Sequence, residues 1–221
     1  MGRIANRDLK ESVLKQTFID LLSNYADDDD LKNELWNEIA DNYSSTKRHY
    51  HNLKHLESIL AQLNEVKEEV NDWQTILFTL YYHDITYNPL KADNEEKSAD
   101  IAAKRMKQIS VSDEKITVCK EQILATKTHI KSAVSDTNYF MDADLSILGH
   151  PWETYLEYCK NIRKEYFIYP DVIYNPGRKK VINHFLAMHR IFKTPFFYDK
   201  FELQAKQNLQ KEIQLIDGFL K

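Results

Sequence analysis

Histidine and aspartate recur along this 221-residue chain in an order and spacing suited to holding a divalent cation. His51 and His55 lie four residues apart, on one face if the segment is helical. His83 and Asp84 are adjacent at the end of a strongly apolar run, and Asp142 and Asp144 flank Ala143 in MDADLSILG. Imidazole nitrogens mixed with carboxylate oxygens suit a borderline ion such as Mn, Fe, Co, Ni or Zn and suit calcium poorly. A structural zinc site would more often use thiolates, and Cys119 and Cys159 stand alone without a CxxC partner. The acidic run Asp27 to Asp30 lacks the mid-loop glycine of an EF-hand and is better read as the start of a helix, where the dipole favours acids.

The placement of His83-Asp84 adds weight to the metal. Polar groups at the inner end of an apolar helix are costly to bury without partners, and a bound ion removes that cost. Alone, the dipeptide is better read as a satisfied core histidine and a carboxylate bonded to backbone, because so short a match is cheap. With HNLKH upstream and DAD downstream, the metal becomes the better account.

The elements that must position these residues are helical throughout. Asp8 and Glu11 form a capping box for a first helix with the stripe Val13, Leu14, Phe18, Leu21, Leu22 and Tyr25. A second helix turns Leu31, Leu35, Trp36, Ile39 and Tyr43 inward. The segment RHYHNLKHLESILAQL reads as a third, carrying both His51 and His55, and a fourth covers about Asp72 to His83. Asp93 with Glu96 suggests the capping box of a fifth, running to about Ile109. Ile116, Cys119 and Ile123 mark a sixth. Phe140 to Leu148 reads as a short seventh closed by Gly149. Pro151 opens an eighth, Asn175-Pro176-Gly177 separates it from a ninth ending near Met188, and Thr194-Pro195 starts a long C-terminal helix. The expected fold is therefore all-α and a single domain over residues 1–221, with a core at about 48–149 and a helical extension at about 150–221.

Composition agrees. The chain has only 4 glycines and 5 prolines, too few for the turns of an all-β protein, and 43% apolar against 29% charged residues, the balance of a globular chain. A net charge of −4 with cations interleaved among acids excludes a general nucleic-acid binder. No apolar run is long enough to cross a bilayer. MGRIANRDLKE lacks an apolar signal core, and the lone cysteines suit a reducing compartment, so a cytoplasmic location without a membrane partner is expected.

The order of His55, His83-Asp84 and Asp144 resembles the HD superfamily of metal-dependent phosphohydrolases. The stretches RHYHNLKHLE, YYHDITYNP, DNEEKSA, ILATKTH, MDADLSILG and TPFFYDKFELQAKQNL are similar to a bacterial group of predicted HD phosphohydrolases of about this length. The resemblance runs from about Arg48 to the C-terminal helix. It implies an all-α HD-domain bundle with additional C-terminal helices and one or two ions among Mn, Fe, Co, Ni, Zn and Mg. It also implies His55, His83, Asp84 and Asp144 as ligands, with Asp84 bridging if two ions bind. His51 matches the first His of an HNxxH motif, whose role is to protonate the leaving group. The paired-His motif of dinuclear members is missing, which leaves His129 as the candidate for a second metal.

The chemistry implied is hydrolysis of a phosphate ester, in a small phosphorylated metabolite or nucleotide, by water that the ion activates. Such a reaction also needs a proton donor and cations for the remaining phosphate charge. His51 is the candidate donor, and Glu95 is a candidate for positioning the attacking water, although acids are favoured at a helix start in any case. Arg48, Arg163 and Arg178 are candidate phosphate contacts, since guanidinium matches phosphate oxygens bidentately. Asp142 reads as a helix cap or a partner of the ligands, and Tyr50, Tyr87, Phe196 and Phe197 as core or as walls for a base. Two alternatives stand beside the hydrolase: a catalytically silent metal- and ligand-binding module, and an HD oxygenase with a dinuclear iron site.

Overall fold

A computed structural model describes residues 13–219. The Asp8–Glu11 capping box lies outside the described residues. Ten α-helices and no strand occur among them, so the chain is all-α as expected. The helices are α1 (13–22), α2 (Asp29–Tyr43), α3 (Leu53–Glu65), α4 (Trp73–Tyr82), α5 (Asn94–Gln108), α6 (Asp113–Ala125), α7 (Ser135–Asp144), α8 (Trp152–Glu165), α9 (Asp171–Ala187) and α10 (Pro195–Phe219). Short 3₁₀ turns follow α3 and α7. Among the described residues no helix is long and apolar enough to cross a membrane. The described helices form two compact units, and the division between them falls inside α7, between Phe140 and Met141.

In the first unit α4 is the central element, because WQTILFTLYY is apolar on every side. Every residue from Thr75 to Tyr82 is buried. Helices α5 and α6 pack along each other and against α4, which also touches α3. Its buried hydroxyls are satisfied: Thr79 donates to Gln122 at 2.5 Å, and Tyr81 donates to the Leu14 carbonyl at 2.8 Å. The helix starts where Asp72 accepts from the Thr75 N–H. Just before it, the Asp136 carboxylate accepts from the backbone N–H groups of Asn71 and Asp72 at 3.0 and 2.8 Å. Asp28 caps α2 by accepting from Leu31, which bears out the helical account of the acidic run.

Several boundaries differ from the sequence pattern for local reasons. Helix α3 begins at Leu53, not in the RHYH segment: Asn52 is extended and its side chain accepts from the Lys54 N–H, so His51 lies before the helix. Asp93 precedes α5 without bonding its backbone, and its carboxylate goes to Lys97 instead.

In the second unit α9 runs straight through Asn175-Pro176-Gly177. Proline removes one hydrogen bond near the start of the helix. The deprived carbonyl belongs to Val172, which is exposed, so water can replace the donor. Gly149 does not close α7 in a left-handed conformation, for no described glycine has positive φ. A Cβ there would stand 2.4 Å from the Cβ of Phe201, so glycine is what lets α10 approach this closely.

Candidate metal centre

The end of α4 builds half of the centre. In the last turn of any helix the carbonyls lack their usual donors. Here the Leu80 carbonyl is met by His83 Nδ1 at 2.9 Å, with His83 as the C-terminal cap. A proton on Nδ1 leaves Nε2 with its lone pair outward, the tautomer that binds metals. His55, one turn into α3, brings its own Nε2 to 3.3 Å from that of His83. Both imidazoles are buried, at 4% and 1% exposure.

Asp84 Oδ2 lies 3.3 Å from His83 Nε2, 3.8 Å from His55 Nε2 and 4.0 Å from His51 Nε2. Burial pushes this carboxyl up, but the charges of His83, His51 and His55 outweigh it and hold the group well below the usual carboxylate range. Asp144 is the last residue of α7, and ligand atoms of His55, His83 and Asp144 all lie within 4.8 Å of one another. Two of these residues close helices, whose C-terminal ends carry partial negative charge and favour a cation.

The donor set fits a metal. Ligands bonded to one ion at about 2.0–2.1 Å, with angles between 90° and tetrahedral, stand about 2.8–3.4 Å apart. The His55–His83 and His83–Asp84 separations of 3.3 Å fall in that interval. Two imidazole nitrogens facing each other across a buried gap either share a proton or receive a cation. A carboxylate at the negative end of a helix favours positive charge in that gap, in either form. Of the four expected ligands, three form the group within 4.8 Å, and Asp84 adjoins two of them.

No family model matches this chain, and no curated protein or solved structure matches it either.

His51 reaches the rim although it is not on α3. Its ring stacks on Tyr87 at 4.2 Å between centroids and meets Tyr50 edge-on at 5.0 Å. Tyr50 also packs on His55 at 4.8 Å. These tyrosines, considered in the sequence as core or base-stacking walls, hold imidazoles.

The other expected site residues are placed differently. Arg48 is buried, with its guanidinium donating to the carbonyls of His51, Asp84 and Ile85. Arg163 bonds Asp171 and the carbonyls of Tyr166 and Tyr169. Arg178 forms a buried pair with Glu212 at 2.7 Å and bonds Tyr158. All three guanidinium groups have protein partners, which is not the arrangement of a free phosphate clamp. Glu95, in the first turn of α5, lies 3.9 Å from Lys127. His129 lies beyond α6 with φ at 51°. Among the described residues neither Glu95 nor His129 joins the metal-capable group. Asp142 accepts from the N–H groups of Lys193 and Thr194 and from the Thr194 hydroxyl at 2.7–2.9 Å, just ahead of α10. It thus braces the chain that leads into α10 and caps no helix of its own.

The sequence pattern placed Tyr43 only among the inward-facing residues of its helix and gave Ser98 no role. The Tyr43 hydroxyl accepts from the Asp84 N–H at 3.1 Å, and Ser98 accepts from the Thr86 N–H. A tyrosine that ends one helix and a serine inside another carry no periodic signal for such a task.

Proposed function

We propose that the chain is a metal-dependent hydrolase of a phosphate ester, acting on a small phosphorylated metabolite or nucleotide. The observation that carries this is the meeting of His55 Nε2 and His83 Nε2 at 3.3 Å beside Asp84 and Asp144. His55, His83 and Asp144 would hold the ion, with Asp84 alongside. Bound there, a divalent ion supplies Lewis acidity, lowering the pKa of water and drawing charge from a phosphoryl oxygen.

The chain's own groups do the rest. The Leu80 carbonyl accepts from His83 Nδ1 and so aims Nε2 at the site. Asp84 stays anionic across the neutral range. His51, with 18% of its side chain exposed, sits where solvent and substrate reach it, and its imidazolium hands a proton to the leaving oxygen. The resemblance to HD phosphohydrolases supports the same assignment. Free thiols at Cys119 and Cys159 support a reducing, cytosolic compartment. Burial pushes the Cys119 thiol up to about 12, which leaves it inert.

The test is metal analysis of the purified protein, followed by phosphate release from phosphomonoesters and nucleotides with added Mn²⁺. Metal-dependent release that vanishes in Asp84→Asn supports the hydrolase. A second reading, a silent metal- and ligand-binding module, is favoured by one observation: Arg48, Arg163 and Arg178 are all engaged by the protein itself. Stoichiometric metal without phosphate release from any ester would select it.

A further inference from the structure

Arg48 stands out among the buried charges because its partners come from two segments far apart in sequence. One guanidinium nitrogen donates to the Asp84 carbonyl at 2.6 Å and to the His51 carbonyl at 3.3 Å, and the other donates to the Ile85 carbonyl at 2.8 Å. The guanidinium lies 4.8 Å from the Tyr43 ring centroid and 5.7 Å from that of Tyr87, the ring stacked on His51. Tyr43 completes the bracket by accepting from the Asp84 N–H.

We propose that Arg48 is a positioning residue, assisted by the Tyr43 hydroxyl. It fixes the His51 loop against the His83–Asp84 turn and so sets the affinity of the metal site and the reach of the proton donor. The proposal rests on the metal-dependent hydrolase reading of this centre. The residue type follows from the task. A planar fork of fixed donors spans carbonyls from two segments at once, whereas the Lys ammonium is a single point on a flexible stem. Electrostatics alone would argue against a cation here, because a fixed positive charge repels a metal ion. The geometric gain must therefore exceed that repulsion, which gives the proposal a sign that can be measured.

Three variants separate the effects. Arg48→Lys keeps the charge and loses the fork, Arg48→Met loses both, and Tyr43→Phe removes a single hydroxyl from a ring that stays in place. Thr79→Val, which removes a buried hydrogen bond elsewhere on α4, serves as a control for stability alone. Each protein is titrated with Co²⁺ well below its melting temperature, following the visible absorption band of the ion. Both Arg48 variants are expected to bind Co²⁺ about 10- to 100-fold more weakly, the usual effect of losing a group that orients metal ligands. Tyr43→Phe should move in the same direction by less, and the Thr79 control should bind as wild type does.

Tighter binding by Arg48→Met would make Arg48 a mere charge and overturn the proposal. So would wild-type affinity in both Arg48 variants, or an equal loss in the Thr79 control. If the Arg48 variants do not fold, wild-type affinity and an unchanged cobalt spectrum in Tyr43→Phe overturn it. A wild-type protein that takes up no Co²⁺ defeats the metal reading itself, and the positioning role falls with it.

Discussion

Replacing His83 by alanine tests the centre most directly, because the ring caps α4 through one nitrogen and faces His55 through the other. Metal that binds only the folded state stabilises it by RT ln(1 + [L]/Kd), about 2.7 kcal/mol at a hundredfold excess over Kd. A chain of this size gains about 2–4 °C in Tm per kcal/mol, so added ion should raise the wild-type melting temperature by about 5–11 °C. Two of the donor separations, at 3.3 Å, already suit one ion, while His55 Nε2 and Asp84 Oδ2 at 3.8 Å must close by a few tenths of an ångström.

His83→Ala removes one donor of the group of three and the imidazole nitrogen that lies 3.3 Å from Asp84 Oδ2. A hundredfold loss of affinity, the upper end of what removing even an outer partner costs, would bring the same metal concentration down to about Kd. The remaining stabilisation is then RT ln 2, about 0.4 kcal/mol or roughly 1 °C. The measurement is the difference between melts with metal and with chelator, taken within each protein, so any loss of packing against Phe140 cancels. An undiminished shift in His83→Ala would refute the assignment of this imidazole, and with it the account of why the α4 cap points Nε2 outward.

Further outcomes follow from other contacts. His51→Ala should keep its metal yet lose about 10²- to 10⁴-fold in phosphate release, and less for a p-nitrophenyl ester, whose leaving group scarcely needs a proton; loss of the metal would instead make His51 a ligand. Arg178→Met leaves Glu212 buried without its cation and should cost about 3–5 kcal/mol in a denaturant melt at pH 7. Burial pushes the Glu212 carboxyl up, but hydrogen bonds from Arg178 outweigh it and hold the carboxyl below its ordinary value. The pair's contribution is thus complete above about pH 4.5 and fades as pH falls further, so the gap between variant and wild type should narrow in acid, and a gap that widens there would contradict it. Asp142→Ala deprives the Lys193 and Thr194 N–H groups of their acceptor and should cost about 3 kcal/mol while metal content stays close to wild type; parallel loss of metal would make Asp142 part of the centre.

How far these features could be read in the sequence depended on whether their cause was local. Helix α4 was legible because its apolar character is continuous over Thr75 to Tyr82, and the cap of α2 because Asp28 acts three residues away. The gathering of His55, His83 and Asp144 was expected from the resemblance carried by the order of these residues. His51 was misplaced on α3 because Asn52, one residue on, takes the N-cap and bends the chain before it. The break expected at Asn175-Pro176-Gly177 failed because an exposed helix start tolerates one lost hydrogen bond. The protein partners of Arg178 and Arg48 were not legible for another reason: Glu212 lies 34 residues from Arg178, Asp84 and Ile85 lie 36 and 37 from Arg48, and no periodicity encodes such partners.

Those distant partners explain how a single apolar helix can present a polar centre at its tip. A helix buried all round cannot be held in place by hydrophobic contact alone, since apolar contacts scarcely resist sliding or rotation. Directional bonds at its two ends supply what is missing. At the start, Asp136 accepts from Asn71 and Asp72. At the finish, Arg48 and Tyr43 grip Asp84 and Ile85, while His83 closes the last turn on Leu80. Each bond satisfies a backbone group that burial would otherwise leave costly, so stability alone justifies it. Because the bonds at the finish fall on residues 80 and 84–85, they also fix the direction in which His83 presents its Nε2, toward His55 and Asp84. The orientation of the His83 imidazole is thus a consequence of capping a buried helix, and no further device is needed to aim its Nε2 at His55.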